Sequence, residues 1–141
     1  MKLTLDQYFG KWKHSPDCTV LRLHHAEELL VQVNSLMELA EGEGVVFLFN
    51  PSTGTHVSGA EFGGFRPQNC PIGAPGSAHK AGLAVDLYDP TNAIDKWCIE
   101  HSKPQGLLEQ MKIYIEHPDA TPGWSHWTTR APASGNRAFR P

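Results

Sequence analysis

One run of the chain brings together residue types that can do chemistry: Gly76-Ser77-Ala78-His79-Lys80-Ala81-Gly82-Leu83-Ala84-Val85-Asp86-Leu87. A histidine at a loop–strand junction is followed, seven positions on, by an aspartate inside an apolar strand. A carboxylate in that setting is costly unless something positive meets it, because a buried unpaired charge is strongly disfavoured. A metal ion would be such a partner. Gly82 would let the backbone turn between the two ligands, and Ala84 is small enough for close packing beside an ion. A second histidine, His126, stands in Trp124-Ser125-His126-Trp127. Two imidazoles and one carboxylate suit Zn²⁺ and leave a fourth tetrahedral position for water. The plainer alternative is that Asp86 pairs with an arginine and the histidines are ordinary core or surface side chains.

The elements that must position these groups are legible in the apolar pattern. Ala26, Leu29, Leu30, Val33, Leu36, Met37 and Ala40 recur at spacings of three and four, which predicts a helix over 22–41 stopped by Gly42 and Gly44. Val45-Val46-Phe47-Leu48-Phe49 reads as a buried strand broken by Asn50-Pro51. Residues 51–78 lack periodicity, and a loop of that length is usually functional or disordered. Leu83–Tyr88 reads as a strand. A helix over 92–101, capped by Thr91 or Asn92, turns Ile94, Trp97 and Cys98 inward, and a shorter helical stretch runs from Pro104 to Met111. Lys112–His117 and Trp124–Thr128 flank turn-forming residues and predict a hairpin. Residues 120–141 contain three arginines and no acid, and are expected to pack over the domain.

The 141 residues suit one domain, with a helical part over 1–44, a core over 45–129 and a tail over 130–141. Charged residues are 19% and hydrophobic ones 40%, which is too apolar for a disordered chain. No apolar run approaches the roughly 18 residues of a membrane span. A net charge of −3 argues against a non-specific nucleic-acid binder. Three cysteines with no C-x-x-C pair favour a reducing compartment over a disulfide scaffold. Cys18 and Cys98 are expected to be buried, with Cys70 nearer the cleft. His14, His24, His25, His56 and His101 have no ligand spacing. The first residues lack the apolar stretch of a signal peptide, so synthesis in the cytoplasm is expected.

Three segments, in order, carry a resemblance. Ser77, His79, Gly82, Ala84 and Asp86 fit the pattern S-x-H-x-x-G-x-A-x-D, Ser58-Gly59 precedes Phe65-Arg66-Pro67, and Trp124-Ser125-His126 forms a Trp-x-His strand. Over about residues 45–128 the chain resembles the zinc D-Ala-D-Ala carboxypeptidases and related phage endolysins, whose fold is shared with the Hedgehog signalling domain. The preceding helix resembles those of short phage and prophage members. The resemblance implies an α+β fold, with a small, mainly antiparallel sheet holding the metal on one face and helices packed on the other. It implies Zn²⁺ held by His79, Asp86 and His126. It also implies that Arg66 lies in the cleft to stabilise an oxyanion or substrate carbonyl. Ser77 would touch substrate or hold the loop.

One position departs from the family. Many members carry the catalytic acid three residues before the last histidine, where this chain has Gly123. The hairpin offers a substitute: a register with Tyr114 opposite His126 puts Glu116 on the ligand face and turns His117 away, whereas a one-residue slip exchanges them. Glu116 is the expected base, with His117 the alternative and Asp119 ranked third. Trp124 and Trp127 face opposite ways, so one can line the cleft against a stem peptide while the other joins the core.

The resulting expectation is a monomeric, zinc-dependent peptidase hydrolysing an amide in peptidoglycan stem peptides. It would be encoded by a phage or prophage and reach the wall through a holin or a virion. The alternative is a non-catalytic zinc-binding module of the same fold, in a binding or virion-structural role.

Overall fold

The computed structural model describes residues 3–141, and the molecule is an α+β protein built on a small four-stranded mixed sheet. Helix α1 (Leu5–Phe9) is capped by Thr4, whose hydroxyl accepts from the Gln7 amide while the Gln7 side chain accepts from the Thr4 amide. The long helix α2 (Val20–Gly42) begins at Thr19, which caps the Arg22 amide, and all seven of its predicted inward residues are buried. Strand β1 (Ala84–Tyr88) follows a 3-10 turn at Ala78–Ala81. Helices α3 (Ala93–Glu100) and α4 (Leu107–Gln110) lead to β2 (Tyr114–Glu116), β3 (Trp124–Thr128) and β4 (Ala138–Phe139).

The strand order is β1-β3-β2-β4. Strands β1 and β3 are antiparallel, with Val85 opposite Trp127 and Asp86 opposite His126. Strands β2 and β3 form the expected hairpin, and β4 joins β2 in parallel. Since paired residues share a face, the sheet divides cleanly. Val85, Leu87, Ile115 and Trp127 pack into one hydrophobic core with the inner face of α2, Tyr8, Phe9 and Phe65. Asp86, His126 and Trp124 lie on the other face.

Several expectations need correction. Val45–Phe49 is not a strand: Phe47 is buried, but Val46 and Phe49 are exposed and no ladder forms there. The free edge of β1 is taken instead by the following loop, through a bridge between Val57 and Leu87 and bonds from Ser58 N to Asp86 O and from Tyr88 N to His56 O. Helix α3 does start after Asn92, but the capping side chain is Asp89, which accepts from the amides of both Ile94 and Asp95. Cys70 is buried, as is Cys98, whereas Cys18 is half-buried. His56 is buried and stacks on Phe49. The C-terminal segment packs on the domain as expected and supplies β4, which the sequence does not announce.

Candidate metal centre

Each of the three converging side chains is held by a local feature with a clear cause. His79 sits in the 3-10 turn whose cap is Ser77, the hydroxyl of which accepts from the His79 amide. That turn ends at Gly82, with φ of 76°, where a side chain would also strike the Arg22 carbonyl at 2.6 Å. Glycine is required there on both counts, because L-residues avoid positive φ and helix α2 leaves no room. Asp86 is the middle residue of β1, and His126 is its direct partner on β3.

The geometry is tight. His126 Nδ1 lies 2.8 Å from Asp86 Oδ1, and His79 Nε2 lies 3.3 Å from the same oxygen. One ligand atom from each residue falls within 4.8 Å of those of the others, and all three residues are buried. His79 Nδ1 is 2.8 Å from the Gly64 carbonyl, which fixes Nδ1 as the donor and frees Nε2. Donor atoms about 2.0–2.1 Å from a shared tetrahedral ion sit roughly 3.3 Å apart, so these spacings are of the right order. Two imidazoles and a carboxylate form a donor set for a divalent transition metal, and the group can hold a metal ion.

Electrostatics favour charge here. Burial by itself would raise the Asp86 pKa, but His79 and His126 outweigh it and hold the carboxyl well below the usual carboxylate range. Burial would lower the His126 pKa, but the hydrogen bond and charge of Asp86 more than offset this and raise it. The second Asp86 oxygen accepts from Arg66 Nη2 at 3.3 Å, and Arg66 Nε donates to the Phe62 carbonyl at 2.7 Å. Asp86 thus meets an arginine, as the plainer sequence reading has it, and also stands between two histidines.

The site opens into a cleft of about 530 Å³ lined in part by Arg66, Ser77, Glu116, Trp124, Arg130 and Phe139. The structure brings together His79, Asp86, His126, Arg66, Ser77, Glu116 and Trp124. Trp127 is the tryptophan that joins the core. The hairpin register differs from expectation by two residues, with Tyr114 opposite Thr128. A shift of two preserves the face. Glu116 therefore still points to the ligand side, with Oε1 4.0 Å from His126 Nε2. His117 does not line the cleft; it caps the 118–120 turn and faces Asp119 and Arg140. Asp119 is taken up by Arg140, and Gly123 is likewise outside the cleft. Sequence reasoning missed Phe139, whose ring approaches His126 edge-on at 6.4 Å, and the Gly64 carbonyl. Neither has a sequence signal, since one comes from a two-residue edge strand and the other is backbone.

No protein-family model, curated protein or solved structure matches this chain. Among the described residues no helix is long and apolar enough to cross a membrane.

Proposed function

We propose that the chain is a zinc-dependent peptidase that hydrolyses an amide bond in peptidoglycan stem peptides, serving a phage or prophage in wall lysis or penetration. The observation that carries this reading is the close grouping of His79, Asp86 and His126, with one donor atom of each within 4.8 Å of the others, in the lining of a cleft that also holds the Glu116 carboxylate and the Arg66 guanidinium. The motif resemblance at Ser77–Asp86, Arg66 and Trp124–His126 supports the same family of zinc peptidases and the same substrate class.

His79, Asp86 and His126 would hold the ion. When bound, zinc supplies Lewis acidity, polarising an amide carbonyl and bringing the pKa of water to about 7. The chain's own groups do the rest. Glu116, with a carboxylate oxygen 4.0 Å from His126 Nε2, accepts the proton of the attacking water and returns it to the leaving amine. Arg66, anchored by Phe62 and Asp86, directs a fixed positive charge at the oxygen where negative charge develops. Ser77 holds the His79 loop while facing the cleft, and Trp124 offers an aromatic wall to the peptide.

A second reading, a zinc module without catalysis, is favoured by Gly123 at the position of the usual acid. Metal content of the purified chain, with mass spectrometry of sacculi incubated with it, tests both. Zinc near one equivalent with released stem-peptide fragments is expected. Zinc without fragments favours the second reading, and neither sinks both.

A further inference from the structure

The chain carries a net charge of −3, yet one cavity outside the metal cleft collects cations. It has a volume of about 300 Å³ and lies between α2 and the Ala78–Ala81 turn, with Arg22, His25, Gln68, Lys80 and Arg130 in its lining. Among the described residues no carboxylate lines it. Asp17 comes near, but its Oδ2 accepts from the Gln68 amide at 3.0 Å. The cavity borders the metal cleft through Gly76, Ser77 and Arg130, and it contains none of His79, Asp86, His126, Arg66 or Glu116.

Hydrogen bonds join the walls of this cavity and orient its donors. Arg22, half-buried in the first turn of α2, gives Nη1 to the Asp17 carbonyl at 2.7 Å and Nη2 to Gln68 Oε1 at 3.2 Å. Gln68 Nε2 donates in turn to the Pro75 carbonyl at 2.9 Å. Further along α2, His25 Nδ1 donates to the Ala81 carbonyl at 2.9 Å, which leaves Nε2 open. From beyond the end of β3, Arg130 donates to the Gly76 carbonyl. A guanidinium has five N–H donors, so both arginines keep most of theirs for a ligand. Lys80 differs. Its ammonium is taken by the Cys70 and Gly73 carbonyls, and it lends the cavity charge alone.

We infer that this cavity is a phosphate-binding subsite for an anionic polyol-phosphate chain, held by Arg22, His25 and Arg130. A tetrahedral phosphate accepts charge-assisted bonds from several directions, which suits donors arriving from a helix and from the end of a strand. A nucleic-acid strand would call for aromatic platforms beneath its bases, and among the described residues no aromatic ring other than the His25 imidazole lines the cavity. Leu21, Pro75 and Ala81 offer instead a small apolar surface to the carbons of a polyol. A chain seated here would pass along the Gly76–Ser77 border of the metal cleft and give the protein a second hold on an anionic polymer. The subsite uses no metal ligand, so it goes beyond the peptidase reading and does not depend on it.

The test is NMR titration of the full zinc-supplemented chain with four probes: glycerophosphoglycerol, inorganic phosphate, glycerol and a short single-stranded DNA. The diester is expected to shift the amides of Arg22, Gln68 and Gly76 saturably, inorganic phosphate to shift the same amides, and glycerol to shift none. Arg22→Ala and Arg130→Ala should each weaken diester binding by about three- to fivefold, the scale of an exposed ion pair, and Arg22→Lys should fall between. Arg140→Ala removes the same charge outside the cavity and should leave binding unchanged. Matched thermal melts show that each variant is folded. Absence of a saturable shift with the diester overturns the inference, as does equal weakening by Arg140→Ala, which would reduce the effect to net charge. Phosphate binding without diester binding makes this a site for the free ion and overturns the polyol chain. DNA that binds the same amides more tightly per phosphate than the diester does likewise. Shifts confined to His79, Asp86 and His126 place the phosphate on the zinc, which overturns the subsite and leaves the peptidase reading standing.

Discussion

Asp86 on β1 and Asp95 on α3 are both buried acids, yet their surroundings drive them in opposite directions. Asp95 is fully buried. Its Oδ2 accepts from Thr121 Oγ1 at 2.8 Å, while Oδ1 has no partner among the described residues. Burial, assisted by the charge of Asp89, pushes its pKa up to about 6 against the pull of hydroxyl donors. Asp86 is nearly as buried but is ringed by His79, His126 and Arg66, and its pKa falls. Burial of an acid is therefore no mark of function by itself. Asp95 holds its proton up to about pH 6, higher than an exposed acid would, and through Thr121 it fastens α3 to the turn after β2. Asp86 keeps its charge because imidazoles face it, and those are groups that can exchange a proton for a metal ion.

Applying the same isosteric change to both acids should separate them most sharply. Asp86→Asn removes the anionic member of the donor set and should cut bound zinc from about one equivalent to a small fraction, by elemental analysis after dialysis. Asp95→Asn should leave zinc unchanged. Equal zinc loss in both variants would erase the distinction between a ligand and a structural acid. Within the cleft, Glu116→Gln should lower kcat by about 10²–10⁴-fold with zinc retained, since Glu116 is not among the three converging groups. A small effect on kcat would return Glu116 to the role of orienting His126.

The stability effect comes next in size. A native pKa of about 6 for Asp95 lies above the unfolded value near 3.9, so the folded state binds this proton more tightly. The contribution is fully present below about pH 4 and is lost as pH rises through 6. By pH 8 the loss approaches about 3 kcal/mol. Urea unfolding of wild type and Asp95→Asn should therefore show the variant gaining relative stability between pH 4 and pH 8. A gap that stays constant with pH would mean that Asp95 is not held protonated.

The contrast between these acids was only half legible in the sequence. Asp86 stood out because an apolar strand with a histidine seven residues earlier and a tight glycine turn makes an unusual local pattern. The inward face of α2 was equally clear, since its seven apolar positions repeat at the helical period. Asp95 gave no signal: in the first turn of a short helix an acid reads as an exposed partner of the helix N-terminus, and only the packing of α3 buries it. Val45–Phe49 misled for a related reason. Apolar composition shows that a segment can be a strand, but pairing depends on a free edge, and Val57 occupies that of β1. The hairpin register was off by two, yet Glu116 kept its face because side chains alternate with that same period. Arg66, which lines the cleft, was legible only through its motif, whereas the wall contributed by Phe139 depends on a late two-residue pairing that no local pattern encodes.

The smallest effect concerns a third carboxylate, introduced at Gly123 in the turn before β3. Gly123 has φ of 91°, a conformation that an L-residue adopts only with strain, but nothing lies within 4 Å of where its side chain would begin. Gly123→Ala should then cost about 1 kcal/mol through backbone strain alone, measured by urea unfolding. Gly123→Glu should cost about the same, because its carboxylate would enter solvent and meet neither the burial that raises Asp95 nor the imidazoles that lower Asp86. Placed in the Glu116→Gln background, it should not recover hydrolysis, since position 123 does not line the cleft. Recovery would show that the turn can swing an acid toward His126, and that proton transfer in this cleft depends less on the register of β2 than on the reach of the loop between the hairpin strands.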